Sequence, residues 1–236
     1  MVEIGGVKHY HRGNLDLLKR PKIAIVGTRR PNSYTKALTL RLAKSFAQKG
    51  YVVVSGGAMG VDALAHRGAG AKNSICVLPC GIDLVYPAVN ERLLEEIGRE
   101  GLLLSQFEPG FRATKWSFVV RNRIVVELGE SLIIMQADPK SGSMRSAEYA
   151  LQRGKEIHVP PHRIGESEGT NGLIRRGEAK IIWDLDSWSV EDEFMAYLKS
   201  MPLLEDAVAR YGEKIYEAEL EGRIRIEGTK IVYMGD

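Results

Sequence analysis

Short apolar runs rich in Val, Ile and Leu alternate along the chain with stretches whose apolar residues recur every three to four positions. That double rhythm predicts strands alternating with amphipathic helices. "KIAIVGTRR" reads as a buried strand stopped by glycine, and "SYTKALTLRLAKSFAQKG" as a helix ending at Gly50. The pattern continues with strand "YVVVSGG", helix "MGVDALAHRGAG", strand "SICVLP", helix "AVNERLLEEIGREG" and strand "LLLSQF". Then come helix "FVVRNRIVVELG", strand "SLIIMQA", helix "SMRSAEYALQRG", strand "EIHVP", short helix "TNGLIRRG" and strand "AKIIWD". Strands that are apolar throughout are buried on both faces, so the pattern predicts an α/β fold: a mostly parallel sheet covered by helices on both sides.

After about Asp186 the rhythm changes. "VEDEFMAYLKSM" and "LLEDAVARYGEKIYEAELEG" read as helices, and "RIRIEGTKIVYMG" as a β-hairpin turning at Gly228. That order resembles a small winged-helix module. The expected organisation is a lead-in segment over 1–20, an α/β domain over 21–185 and a winged-helix-like module over 186–236.

Composition narrows the class. With 236 residues, 44% hydrophobic and 27% charged, the chain is an ordinary globular protein able to bury a core without metals or disulfides. No apolar run is long enough to span a bilayer, and "MVEIGGVKHYHRGN" lacks a hydrophobic signal region, so a cytoplasmic protein with no membrane partner is expected. Cys76 and Cys80 stand in a C-x-x-x-C spacing with no second pair, which reads as two small buried thiols rather than a zinc site. The net charge of +3 does not by itself identify a polyanion binder. The distribution says more, because basic residues gather at "TRRP", "KWSFVVRNR" and "LIRRGEAK".

Ligands of parallel sheets bind beyond the carboxyl ends of the strands, which selects the loops to inspect. "GTRRPNS" has neither dinucleotide nor P-loop spacing. It still offers Gly27 for close backbone approach, the Thr28 hydroxyl and the Arg29 fork to a phosphate. An ordinary turn with solvated arginines fits that loop equally well. In "SGGAMGVD", Gly56, Gly57 and Gly60 free the backbone N–H groups to face an anion, and Ser55 adds a hydroxyl. Asp62 and His66 stand at i and i+4, and their mutual pairing is favoured over a metal because no third ligand is near. "SGSMRSAEYAL" repeats the device with Ser141, Gly142 and Ser143 at a helix N-terminus. Three such loops at one edge of a sheet make a cradle for several phosphates.

Catalytic signatures are missing: there is no G-x-S-x-G, H-E-x-x-H or C-x-x-C, and His158 and His162 flank a Pro-Pro step. No cofactor and no metal is expected, and no enzyme. In "KWSFVVRNR", Phe118, Arg121 and Asn122 share a helical face, with Lys115 and Trp116 on the loop before it. An aromatic beside cations is what single-stranded nucleic acid requires, base stacking together with phosphate neutralisation. Trp116 is expected to be core; for Phe118 the core and surface readings are balanced.

Six blocks in order, "GNLDLLKRPKIAIVGTRRP", "VVSGGAMGVDALAHRGA", "VLPCGIDLVYPAVN", "LLLSQFEPG", "FVVRNRIVVEL" and "SGSMRSAEYAL", resemble the DNA-processing protein A (DprA/Smf) family from about Gly13 to Asp184. The resemblance implies an extended Rossmann-like domain that binds single-stranded DNA without base specificity, helps load the RecA recombinase on transforming DNA, and forms a homodimer. It places Arg29 and Lys115 on phosphate, makes Ser55, Gly56 and Gly57 an anion-binding turn, brings Phe118 to a base, and leaves Arg121 and Arg123 to add charge or brace the loops. Many members carry Arg where this chain has Met59, and the family's N-terminal helical domain is not evident. Two alternatives share the fold superfamily: a nucleotide-sensing module, and a nucleotide phosphoribohydrolase, for which Glu148 is the candidate acid although the P-G-G motif around it is missing.

Overall fold

The computed structural model describes residues 1–184, 197–198 and 200–234. The chain divides into two compact units, 1–185 and 186–236. In the first, the strands β1 (Val2–Ile4), β2 (Val7–Gly13), β3 (Lys22–Val26), β4 (Val52–Ser55), β5 (Ser74–Val77), β6 (Leu102–Ser105), β7 (Ser131–Ile134), β8 (Ile157–Val159) and β9 (Lys180–Ile181) form one sheet. Between them run α1 (Ser33–Gln48), α2 (Val61–Ala69), α3 (Glu91–Glu100), α4 (Lys115–Leu128), α5 (Gly142–Gln152) and α6 (Glu168–Arg175). The order across the sheet is β1-β2-β6-β5-β4-β3-β7-β8-β9. From β6 to β9 every neighbour is parallel, for instance Ala24 beside Leu132 and Val53 beside Ser74. The sheet is mostly parallel, as the alternating periods predict, and the domain is Rossmann-like, as the family resemblance implies.

The chain lays down β3 to β6 in one direction, then returns through α4 to place β7 against the other side of β3. The strand order therefore reverses between β3 and β7, and their outgoing loops diverge there. Such a switch point leaves a crevice at the carboxyl ends of the strands.

Alternate strand residues serve opposite layers. Val26, Val54, Ile75 and Val77 pack with Val125 of α4 and Met144 and Ala147 of α5. Cys76, Leu78 and Leu103 pack with Ala63 of α2 and with Leu93, Leu94 and Ile97 of α3. All four residues of each of β4, β5 and β6 are buried, which explains why those segments are apolar without alternation.

The N-terminal segment is more than a lead-in. Gly5 and Gly6 both take positive φ, 57° and 78°, and close a tight hairpin in which Ile4 faces Val7. Two consecutive left-handed residues are what such a turn demands, so the Gly-Gly pair sets it. β2 then adds antiparallel to β6, with Tyr10 opposite Ser105 and Gly13 opposite Leu102.

The second unit contains α7 (Leu204–Tyr211), α8 (Lys214–Leu220) and the hairpin β10 (Ile224–Glu227) and β11 (Lys230–Tyr233), which turns at Gly228 with φ 62°. Leu198, Ala207, Ile215, Ala218, Ile224 and Ile231 form its own small core. Most of the expected helix over "VEDEFMAYLKSM" lies outside the described residues, of which 197–198 are helical. Among the described residues, no helix is long and apolar enough to cross a membrane.

Candidate nucleic-acid interface

Glycines bring the first two loops together at the switch point. A Cβ on Gly27 would lie 2.6 Å from Val61 Cγ2, and one on Gly60 only 2.5 Å from the Thr28 carbonyl oxygen. The bare backbones therefore pack, and Val61 N–H donates to Thr28 O at 3.2 Å. Thr28 N–H in turn donates to the Gln136 carbonyl at 2.8 Å, tying the β3 loop to the β7 loop. The third loop ends in Ser141, whose Oγ accepts from Met144 N–H at 3.4 Å and caps α5. That leaves the first-turn amides of Gly142 and Ser143 at the positive end of the helix dipole.

All three loops line one cleft of about 490 Å³, together with Phe118, Arg121 and Asn122 from α4 and Gln136 beyond β7. Gly27, Thr28, Arg29, Gly56, Ser141, Gly142 and Ser143 all contribute to its wall. The helical-face expectation for Phe118, Arg121 and Asn122 agrees with this lining.

Beneath the second loop lies a buried charge pair. Arg121, only 5% exposed, donates from Nη1 to Asp62 Oδ2 at 3.3 Å. The guanidinium lies so close to the loop that a Cβ on Gly56 would stand 1.1 Å from Nη1. Arg121 Nε has no hydrogen-bond partner. Burial raises the Asp62 pKa above its usual range, while Arg121 and the Ala58 N–H pull the other way. Desolvation is the larger effect, so Arg121 holds Asp62 without fully restoring its acidity. Arg121 thus braces the turn from below and presents a cationic floor to the cleft.

The expected pairing of Asp62 with His66 does not form. His66 is fully buried, neither of its ring nitrogens has a hydrogen-bond partner, and burial lowers its pKa to about 3. Arg121 takes the carboxylate because a cation repays more of its desolvation than a neutral imidazole. Ser55 also departs from expectation. Its hydroxyl is buried, donates to the Ile25 carbonyl at 2.6 Å and lies against the Asp62 carboxylate, locking β4 to β3 rather than lining the cleft. Gly57, with φ 68°, serves packing: a Cβ there would lie 2.7 Å from Cys76 Sγ. Cys76 and Cys80 are buried free thiols, and burial pushes the Cys80 pKa up to about 11.

At the rim, α4 starts earlier than its apolar pattern suggests. Thr114 and Ser117 form a reciprocal capping box, which takes Lys115 and Trp116 into the first helical turn. Trp116 is not core. It is 63% exposed and meets the stacked pair Phe107–Phe111 edge-on through Phe107 at 5.6 Å. Phe118 lies under Arg29, whose Cζ is 5.4 Å from the ring centroid, and Arg121 Cζ is 5.8 Å away. Tyr86 packs against the same ring at 5.6 Å. Lys115 is exposed one turn before Phe118, outside the cleft lining. Arg123 faces elsewhere, over the Tyr149 ring at 5.5 Å, in a hollow between α4 and α5 that also holds Glu148. Among the described residues no group of three His, Cys, Asp or Glu could hold a metal.

Gln136 and Tyr86 are not among the residues the loops single out, whereas Asn122 is on the helical face the sequence analysis names. Gln136 had a signal nevertheless: it follows the apolar run "SLIIM" directly, where a parallel strand delivers its next residue to the crevice.

The family model for DNA recombination-mediator protein A matches residues 7–191. The chain is 34% identical over 204 residues to Protein Smf of Synechocystis sp., covering 83% of this chain and 50% of that protein. It is 37% identical over 190 residues to the DNA processing protein DprA of Bacillus subtilis, covering 78% of this chain and 62% of the relative. Its fold superposes on DNA processing protein A from Helicobacter pylori with a TM-score of 0.74 and 42% identity, covering 81% of this chain and 86% of that one. That structure concerns a single-stranded DNA binding mode.

Proposed function

The chain belongs to the DNA recombination-mediator protein A family, and from that premise we propose that it binds single-stranded DNA through the cleft between β3 and β7, without base specificity. One observation carries the reading. Three amide-rich loops, a buried guanidinium and a cation-flanked aromatic ring share a single cleft. Backbone amides and Arg121 favour phosphate oxygens, and Phe118 offers a π-face that any base can use. Lys115 extends the cationic track at the mouth. The likeness to the Helicobacter pylori protein, whose structure concerns single-stranded DNA, points the same way.

Binding rather than hydrolysis is the reading for this cleft. Glu148, the candidate acid of a phosphoribohydrolase, lines the neighbouring hollow instead of the wall where the phosphate loops meet. Assistance to the RecA recombinase and a homodimer follow from the family and belong to the same proposal.

The test is a salt-titrated binding comparison of single-stranded DNA, duplex DNA and mononucleotides. Single strands are expected to bind best, with log affinity falling linearly in log salt at a slope of about 0.7 per phosphate neutralised. Equal or tighter binding of a mononucleotide would favour the sensing alternative. Release of ribose 5-phosphate from a nucleoside monophosphate would overturn the non-enzymatic reading.

A further inference from the structure

A second hollow, of about 580 Å³, adjoins the cleft and includes none of the residues proposed to hold DNA. Its lining includes Asn32, Tyr34, His162, Arg163 and Glu166. The loop after β3 serves both sites: its beginning lines the cleft and its end, with the first turn of α1, lines the hollow. Gln136 of the cleft wall ties the two together through the loop. Its carbonyl accepts from Thr28 N–H at 2.8 Å, its side-chain Oε1 accepts from Asn32 N–H at 3.0 Å, and it lines the cleft itself.

The hollow is rigid where it is aromatic. Asn32 caps α1, its Oδ1 accepting from Thr35 N–H at 2.8 Å, and this fixes Tyr34 in the first turn. Tyr34 meets the His162 ring edge to face, centroids 5.5 Å apart at 89°. His162 is anchored through Nε2, which donates to the Met135 carbonyl at 2.7 Å. Tyr34 nonetheless stays 47% exposed. Beside it the Arg163 side chain is exposed and enters no ion pair among the described residues, while Glu166 is occupied by Asn32 Nδ2 at 3.3 Å. A fixed aromatic face with a free guanidinium next to it is the chemistry of one nucleotide, the base on the ring and the phosphate on the cation.

We propose that this hollow is a second nucleotide subsite, in which a base of the strand held in the cleft stacks on Tyr34 and its phosphate pairs with Arg163. The proposal rests on the reading of the cleft as a single-stranded DNA site. The two subsites lie on either side of one loop, so a single strand crossing Arg29 and Arg30 passes from one to the other. Nucleotides bound in both positions give a longer footprint than the cleft alone provides.

A length series of oligothymidylates, bound to the wild type and to Tyr34→Ala, Tyr34→Phe and Arg163→Ala, tests this. On strands long enough to reach both pockets, Tyr34→Ala is expected to weaken binding about 5- to 100-fold. On the shortest strands, which fill the cleft only, it should match the wild type. Tyr34→Phe should retain affinity at all lengths. Arg163→Ala should lower the salt slope on long strands by about 0.7. Thermal unfolding of each variant establishes that the fold is intact. If the wild type binds no single strand, the reading of the cleft fails and the subsite with it. If the wild type binds and Tyr34→Ala matches it at every length, or weakens all lengths equally, the subsite alone is overturned.

Discussion

Gly56 shows how little room the cleft floor leaves. Its missing side chain is the space that Arg121 fills, since a Cβ would stand 1.1 Å from the guanidinium nitrogen. Gly56→Ala must therefore displace Arg121 from Asp62 or lift the loop. The expected outcome is a loss of about 1–3 kcal/mol in denaturant unfolding, typical of overpacking, with single-strand affinity down at least about tenfold. Unchanged values for both would mean that Arg121 yields freely. Residue roles were the least legible feature of the sequence. Asp62 and His66 are visible neighbours at i and i+4, yet the actual partner, Arg121, lies 59 positions away. Ser55 reads as a ligand in a glycine loop until β3 is placed beside it, when its hydroxyl meets Ile25 O. Trp116 reads as core by its type, and only the capping box reveals that it stands in an exposed first turn.

α4 carries the interface, and its first turn depends on Thr114. The Thr114 hydroxyl accepts from Ser117 N–H at 3.2 Å, and Ser117 Oγ accepts from Thr114 N–H at 2.9 Å. Thr114→Ala is expected to cost about 1 kcal/mol, read by thermal or denaturant unfolding. Because fraying loosens Lys115 more than the buried Arg121, binding should weaken mainly at the mouth. A Lys115→Ala variant should then show little further effect of Thr114→Ala on affinity. Elements were the most legible level, because a strand covered on both faces is apolar on both, as β4 to β6 are apart from one buried serine at an end of each. The N-terminal hairpin escaped that logic. Its strands lie at the sheet edge, where β2 buries only His9, so their polar composition resembles a loop.

At the scale of the whole molecule, the strand order decides where the cleft lies, and neighbouring periodicities do not state it. The alternation announces a parallel sheet; that β7 returns to β3 rather than continuing beyond β6 is a tertiary choice. The interior also carries an acid sensitivity. Burial holds His66 at a pKa of about 3 against 6.5 for an exposed imidazole, and His158 at about 4. The unfolded chain therefore takes up these protons first as pH falls. Their contribution to stability is complete above about pH 6.5 and is lost between there and the folded values, at up to about 1.4 kcal/mol per pH unit for each imidazole. Urea unfolding at pH 7.5 and 5.0 should show the decline, and His66→Leu should make it shallower, leaving the share of His158. A wild-type profile level across that range would mean that the folded state admits the proton to His66.

The glycine-turned hairpin at the N-terminus has one more consequence, for the company this molecule keeps in solution. β6 reads "LLLS" and is wholly buried, with β5 on one side and β2 on the other. Without β2, a greasy strand would present its unpaired amides and carbonyls along the sheet border, which is a template for sticking to other chains. The opposite border ends in the two-residue β9, too short to recruit much. Removing residues 1–13 is therefore expected to increase self-association beyond that of the intact chain, measured as a rise in light scattering, while the cleft residues themselves stay untouched.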